Sequence, residues 1–171
     1  DCIWIEYGEP GTTRHVLVDG GPLGAFGALR THVESLPAEA RDVELLVVTH
    51  IDADHIDGIV KLLRHPELGL TFREVWFNGW SQLERSLAGG VFSAAATADT
   101  RGAVSGGALD LTLVRGGQKC NERFRGFAAF VASDGELPRA RLPGGLDLTL
   151  LSPTMDKLQA LRAVWMKTFE K

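Results

Sequence analysis

Cysteine is scarce in this chain: Cys2 and Cys120 are the only two in 171 residues, and no CxxC spacing joins them. That excludes a secreted disulfide framework and a thiolate zinc knuckle, and structural thiols in a reducing compartment are the simpler reading. No apolar run approaches the ~18 residues of a membrane span, and no charged segment followed by an apolar stretch marks a signal peptide. The expected location is therefore cytoplasmic, with no membrane segment in the chain. Excess positive charge is lacking too. The net charge is −4, and Arg14, Arg30, Arg41 and Arg64 are scattered as solvated surface residues are, so the chain as a whole lacks the footprint of a polyanion-binding module. There is no internal repeat, no nucleophile elbow for a serine hydrolase, and no glycine pair ahead of a lysine-bearing helix. After His65 there is no histidine at all.

What is present is ordinary globular composition, 44% hydrophobic and 23% charged, enough for one domain over residues 1–171. Cys2–Tyr7 and His15–Asp19 flank a Gly- and Thr-rich turn and read as a β-hairpin, ended by Gly20-Gly21-Pro22. Ala25–Leu36 and His55–His65 carry apolar residues at helical intervals, whereas Glu44–Thr49 is a continuous apolar run that reads as a strand buried on both faces. Phe72–Phe77 is a further expected strand and Ser81–Leu87 a short helix. Residues 88–117 are small and glycine-rich. They read as a loop, or chain around a gap, with Leu109–Val114 as a strand. Phe127–Ala132 and Leu146–Leu151 are expected strands, and Asp156–Lys167 a final helix. This mixed order predicts a layered α/β fold. The chain opens without methionine and stops inside a charged helical pattern, so residues are expected to be missing at both ends.

Chemistry concentrates in one place. His50, Asp52, Asp54 and His55 offer four metal ligands within six residues, directly after the buried strand and before a helix. Imidazole and carboxylate donors suit zinc, manganese or iron. Strand alternation points His50 and Asp52 to one side, and the turn into the helix brings Asp54 and His55 toward the same point. One loop then serves two metals at the spacing that two-metal hydrolysis needs. Helix capping alone would explain one aspartate but not two histidines and a second aspartate in register. Trp76–Trp80 follows a strand end and is placed either to line a groove or to fill core, with Asn78 the member to test first.

The His50-x-Asp52-x-Asp54-His55 pattern, with Gly58 after it and Leu17-Val-Asp19-Gly-Gly21 before it, resembles the metallo-β-lactamase-fold superfamily. The usual signature has a second histidine where this chain has Asp52. That variant is similar to the branch containing the metallo-β-lactamase-like domains of DNA-uptake competence proteins. The resemblance implies an αββα sandwich, only partly covered by this chain as its N-terminal portion. It implies a two-metal site and a metal-activated water acting on an ester, amide or phosphodiester, most simply a phosphodiester of nucleic acid or a nucleotide. Zinc is the implied metal. Asp52 hardens the site and makes manganese or magnesium more competitive.

By the same resemblance His50, Asp52, Asp54 and His55 are metal ligands, with Asp54 and His55 also catalytic, and Asp19 lies beneath the loop as a support. The superfamily's later histidine ligands have no counterpart here. Asp99, Asp110, Asp134, Asp147 and Asp156 are the candidates for a bridging carboxylate. The rest of the site is expected from missing chain or from a partner. His65 is too far along its helix to reach the same metal, and His15 and His32 read as surface or boundary residues. Two other functions compete: hydrolysis of a lactone, thioester or amide, and a degenerate binding or assembly module in a larger complex.

Overall fold

β-branched and aromatic residues at the start of the chain close an antiparallel pair. Strand β1 (Ile3–Tyr7) lies against β2 (Arg14–Val18), with Ile5 opposite Val16. The computed structural model describes residues 1–87 and 100–169. Two apolar runs extend the sheet in parallel, each bent in the middle. β3 (Asp42–Val43) and β4 (Leu45–Val47) flank Glu44, and β5 (Thr71–Phe72) and β6 (Val75–Trp76) flank Arg73 and Glu74. The main sheet has the order β1-β2-β4-β6, while β3 and β5 form their own parallel pair.

Because side chains alternate across a strand, the paired residues Leu17, Leu46 and Val75 share one face of the sheet, and Val16 and Leu45 share the other with Trp76. The first face is covered by α1 (Phe26–Ser35), which buries Phe26, Leu29 and Val33, and by α2 (Ala53–Leu63), which buries Ile56, Ile59 and Leu62. Three more helices complete this layer: α3 (Trp80–Leu87), α4 (Thr100–Arg115) and α5 (Met155–Phe169). Helix α2 packs on α1 and α4, and α5 packs on α3 and α4. The opposite face meets the hairpin of β7 (Arg139–Arg141) and β8 (Asp147–Thr149), through Ala140, Leu142, Leu146 and Leu148. Helices on one face of the main sheet and a β-hairpin on the other give the mixed α/β architecture that the sequence predicts. Among the described residues no helix is long and apolar enough to cross a membrane.

Several elements differ from expectation. Leu109–Val114 is not a strand but the C-terminal part of α4; residues 88–99 and Asp99 lie outside the described residues. In the helix Leu109 and Leu113 are fully buried one turn apart, whereas Leu111 and Val114 are exposed. Phe127–Ala132 forms only an isolated bridge, Val131 with Thr154. Its backbone bonds go instead to Ser86 Oγ, to Asn78 and to the Pro153 carbonyl. The Leu146–Leu151 strand contracts to β8.

His15 is not a surface residue either: it is 3% exposed. Its ring lies 5.2 Å from that of Trp4, which also meets His32 at 4.8 Å. His15 Nδ1 is 3.0 Å from the Ala40 carbonyl and Nε2 is 4.0 Å from a Glu6 carboxylate oxygen. Burial first, and His32 in addition, push the His15 pKa down, against Glu6. Below the unfolded value of about 6.5 the unfolded chain takes a proton that the folded chain refuses. Stability should therefore be full above that pH and decline as the pH falls below it. Urea midpoints between pH 8 and 5 should show a shallower decline for His15→Phe; an identical slope would defeat the assignment to His15.

Candidate metal centre

Strands β2, β4 and β6 run parallel, so their C-terminal ends bring Asp19, Thr49 with His50, and Phe77 with Asn78 to one edge of the sheet. This is the edge at which α/β folds place their sites. Asp19 sits there in the left-handed region, φ 58°, a conformation that a short polar side chain tolerates better than most, and its N–H still donates to the Val47 carbonyl at 2.9 Å. The turn aims its carboxylate beneath the loop after β4.

Helix α2 is pressed onto this turn by glycine. The Gly20 N–H donates to the His55 carbonyl at 2.7 Å, and the Gly58 N–H donates to the Gly21 carbonyl at 3.0 Å. A Cβ on Gly58 would fall 1.9 Å from the Gly20 carbonyl oxygen, and one on Gly20 would fall 2.4 Å from the Ile59 nitrogen. Only hydrogen at both positions permits the contact. The contact in turn delivers His55 to Asp19.

Asp19 is a three-way acceptor. One oxygen accepts the Thr49 N–H at 2.8 Å; the other accepts the Thr49 hydroxyl at 2.5 Å and lies 2.7 Å from His55 Nδ1. Both residues are buried, His55 at 9% and Asp19 at 3% exposure. With Nδ1 donating to the carboxylate, His55 presents the lone pair of Nε2 outward, the arrangement that orients a metal-binding imidazole. The Thr49 hydroxyl also lies 3.0 Å from His50 Nδ1, so the carboxylate reaches His55 directly and His50 through this threonine. Sequence reasoning missed Thr49; a hydroxyl residue directly before the first histidine is the signal available for it.

The outward nitrogens each meet a carboxylate. His50 Nε2 is 3.5 Å from Asp52 Oδ2, His55 Nε2 is 3.5 Å from Asp54 Oδ2, and the two rings lie 3.7 Å apart. Asp52 occupies the N-cap position of α2 but makes no side-chain cap bond. Both aspartates are about two-thirds exposed, and among the described residues neither has a Lys or Arg partner. Carboxylates without a Lys or Arg partner, beside outward imidazole nitrogens, are a donor set suited to a divalent cation. The residues present fit a metal. Among the described residues, the only group of three or more His, Cys, Asp or Glu residues with one ligand atom from each within 4.8 Å of the others is Asp19, His50 and His55. Asp52 and Asp54 stand next to that triad rather than within it. Asp19's oxygens already serve three donors, which makes it a brace for the histidines.

The family model described as the metallo-beta-lactamase superfamily matches residues 1–92, more than half of the chain. The chain belongs to this superfamily. No curated protein and no solved structure matches it. The matched residues include Asp19, the whole His50–His55 loop and Gly58, whereas α4, α5 and the β7–β8 hairpin lie beyond the match.

The other candidates lie elsewhere in this metallo-beta-lactamase scaffold. His65 follows α2, stacked on Phe26 at 5.3 Å and bonded to Glu67 at 2.6 Å. Asp110 lies beside Ser81, and burial raises its pKa; Asp134 caps the Glu136 N–H; Asp147 is on β8; Asp156 is in the first turn of α5. None of these four joins the cluster. The Cys120 thiol is pushed up to about 12, chiefly by burial, so it stays protonated and out of nucleophilic chemistry. Asn78 does not present its amide freely. It holds Ala129 through both the N–H and the carbonyl and takes a bond from Asn121. Asn121 is fully buried in the left-handed region, and its Oδ1 accepts the Phe77 N–H at 2.9 Å. These two asparagines pin the end of β6 beside the metal loop.

Proposed function

We propose that this chain is a metal-dependent hydrolase whose reaction centre is the His50–His55 loop. The observation that carries the reading is the pair of imidazoles braced through Asp19 and Thr49, with outward Nε2 atoms beside the uncommitted carboxylates of Asp52 and Asp54. A divalent cation held there supplies acidification of water toward a pKa of ~7 and polarisation of the scissile bond. The protein's own contribution is placement. His50 and Asp52 hold one side, Asp54 and His55 the other, and Asp54 orients the attacking water and accepts its proton. Zinc is the proposed metal, with manganese or magnesium made more competitive by the extra carboxylate. Donors beyond this loop are proposed to come from other chain or from a partner, because no histidine follows His65.

The bond class proposed is a phosphodiester, in a nucleotide or nucleic acid, on the strength of the Asp52 variant of the motif. A second reading, a lactone, thioester or amide, is favoured by one observation: the cavity beside His50 is lined mainly by apolar side chains. The test is elemental analysis of stripped protein re-equilibrated with mixed metals, followed by assays on bis-p-nitrophenyl phosphate, a thioester and a chromogenic lactam. Bound metal should disappear in His50→Ala and Asp54→Ala, with hydrolysis falling by about 100-fold or more. Protein that takes up no metal defeats the enzyme reading and leaves a binding or assembly module. Unchanged activity in Asp54→Ala assigns the turnover to a contaminant.

A further inference from the structure

We propose that the cleft beside His50 holds an apolar limb of the substrate, so that the bond cut joins a polar centre at the metal loop to a hydrocarbon or aryl group. The inference rests on reading the His50–His55 loop as the reaction centre. The cleft has a volume of ≈ 600 Å³, within the range of small-molecule sites, roughly 300–1,000 Å³. Thr49 and His50 are part of its lining, so it opens directly on the ligand loop. Its floor is Val47, Trp76 and Phe77 from the ends of β4 and β6; its far wall is Leu150 and Leu151 from the segment that follows β8, and Leu161 from α5. Leu151 stands 73% exposed at this wall, a large apolar side chain left in water that a bound hydrocarbon would cover.

Charge decides against a polyanionic strand as the occupant. Among the described residues Lys157 is the only lysine or arginine in the lining, and no aspartate or glutamate lines the cleft. A nucleic-acid track needs several phosphate-neutralising cations. Lys157 alone suits one negative group on a small molecule. Within the phosphodiester reading, the occupant is therefore a small phosphoester with an apolar substituent rather than a DNA or RNA strand. The far wall also lies outside residues 1–92, the part matched by the superfamily. The metal loop comes from the matched portion, and the wall that would choose the substrate comes from the chain beyond it.

The test is equilibrium binding of acetate, butyrate, hexanoate and octanoate to the full chain, with and without metal, followed by amide NMR. Each added methylene should tighten binding about threefold to fourfold, with shifts centred on Leu150, Leu151 and Lys157. Because Leu151 is exposed, Leu151→Gln should fold normally; it should weaken octanoate about tenfold and leave acetate and metal uptake unchanged. Equal affinity along the series, or an unaltered series in Leu151→Gln, overturns the proposal. So does displacement of octanoate from these residues by a single-stranded oligonucleotide. Chain-length dependence in a protein that binds no metal would defeat the hydrolase reading alone, whereas metal uptake with a flat series would defeat the apolar limb alone.

Discussion

Gly58→Ala should destabilise the chain by about 3 kcal/mol or more, the upper end of what overpacking costs, and abolish metal uptake with it. Elsewhere the same substitution in a helix interior gains up to about 1 kcal/mol, because alanine restricts the unfolded chain and favours the helix. At Gly58 the clash wins. The new Cβ meets a backbone carbonyl, Gly20 O at 1.9 Å, which cannot rotate away as a side chain can. Relief requires α2 to move off the Asp19–Gly21 turn, and that breaks the two backbone bonds that seat His55 against Asp19. Gly27, inside α1, is the control, because a methyl group added there would meet nothing within 4 Å. Gly27→Ala should be neutral or stabilising by up to about 1 kcal/mol. Urea unfolding of the pair measures the difference. A Gly58→Ala protein as stable as the parent would mean that the α2 contact is looser than described.

The second large effect is expected at Asp19. Asp19→Ala strands three donors at once: His55 Nδ1, the Thr49 N–H and the Thr49 hydroxyl. It also puts an alanine at φ 58°, where a methyl side chain has no local bond to compensate. Breaking a buried charge-assisted pair costs about 3–5 kcal/mol. Asp19→Asn separates the two consequences. Asparagine accepts the left-handed backbone and keeps one acceptor oxygen, but it turns an amide donor toward either the histidine or the threonine. Stability should fall much less than in Asp19→Ala, while metal affinity falls about 10- to 100-fold. Metal titration and urea unfolding on the two variants test this. Equal metal affinity in Asp19→Asn and the parent would remove Asp19 from the site's support.

The metal loop is legible in the sequence because its donors are local. His50 to His55 is one strand end and one helix start, so alternation and a helical turn suffice to bring the side chains together, and no distant packing has to be known. Asp19 is legible only through the superfamily resemblance, since nothing in an aspartate before two glycines says that it will lie under a histidine 36 residues away. Asn121 is not legible for the same reason, and Thr49 shows only its contact with the adjacent His50, not its bond to the distant Asp19. The largest departure of the fold from expectation has a plain cause. Leu109-Asp-Leu-Thr-Leu-Val114 alternates like a strand, yet Leu109 and Leu113 are also one helical turn apart, and six residues satisfy both periods. What decides is the surface waiting for that face, α2 and α5, which the local pattern does not contain. Phe127–Ala132 has the composition of a strand but lies where Asn78, Ser86 and Pro153 supply its hydrogen-bond partners, so no ladder is needed to satisfy its backbone. Histidine is intermediate in burial, which puts His15 at the boundary on sequence grounds; its neighbours Trp4 and Ala40 give it the packing and the acceptor that bury it.

The separation between His55 and its brace also bears on how the chain acquires its metal. His50, Asp52, Asp54 and His55 are close even in a largely unfolded chain, whereas the bond to Asp19 closes a long loop and waits for β2 and β4 to pair in parallel. A cation present during synthesis therefore meets a short run of donors before it meets an oriented site. Whatever affinity the unfolded chain has for that cation is subtracted from the stabilisation that binding confers on the native state. Metal should accordingly raise the unfolding midpoint by less than its affinity for the folded protein implies, and excess metal during refolding should hold the loop in geometries that Asp19 and Thr49 have not yet corrected.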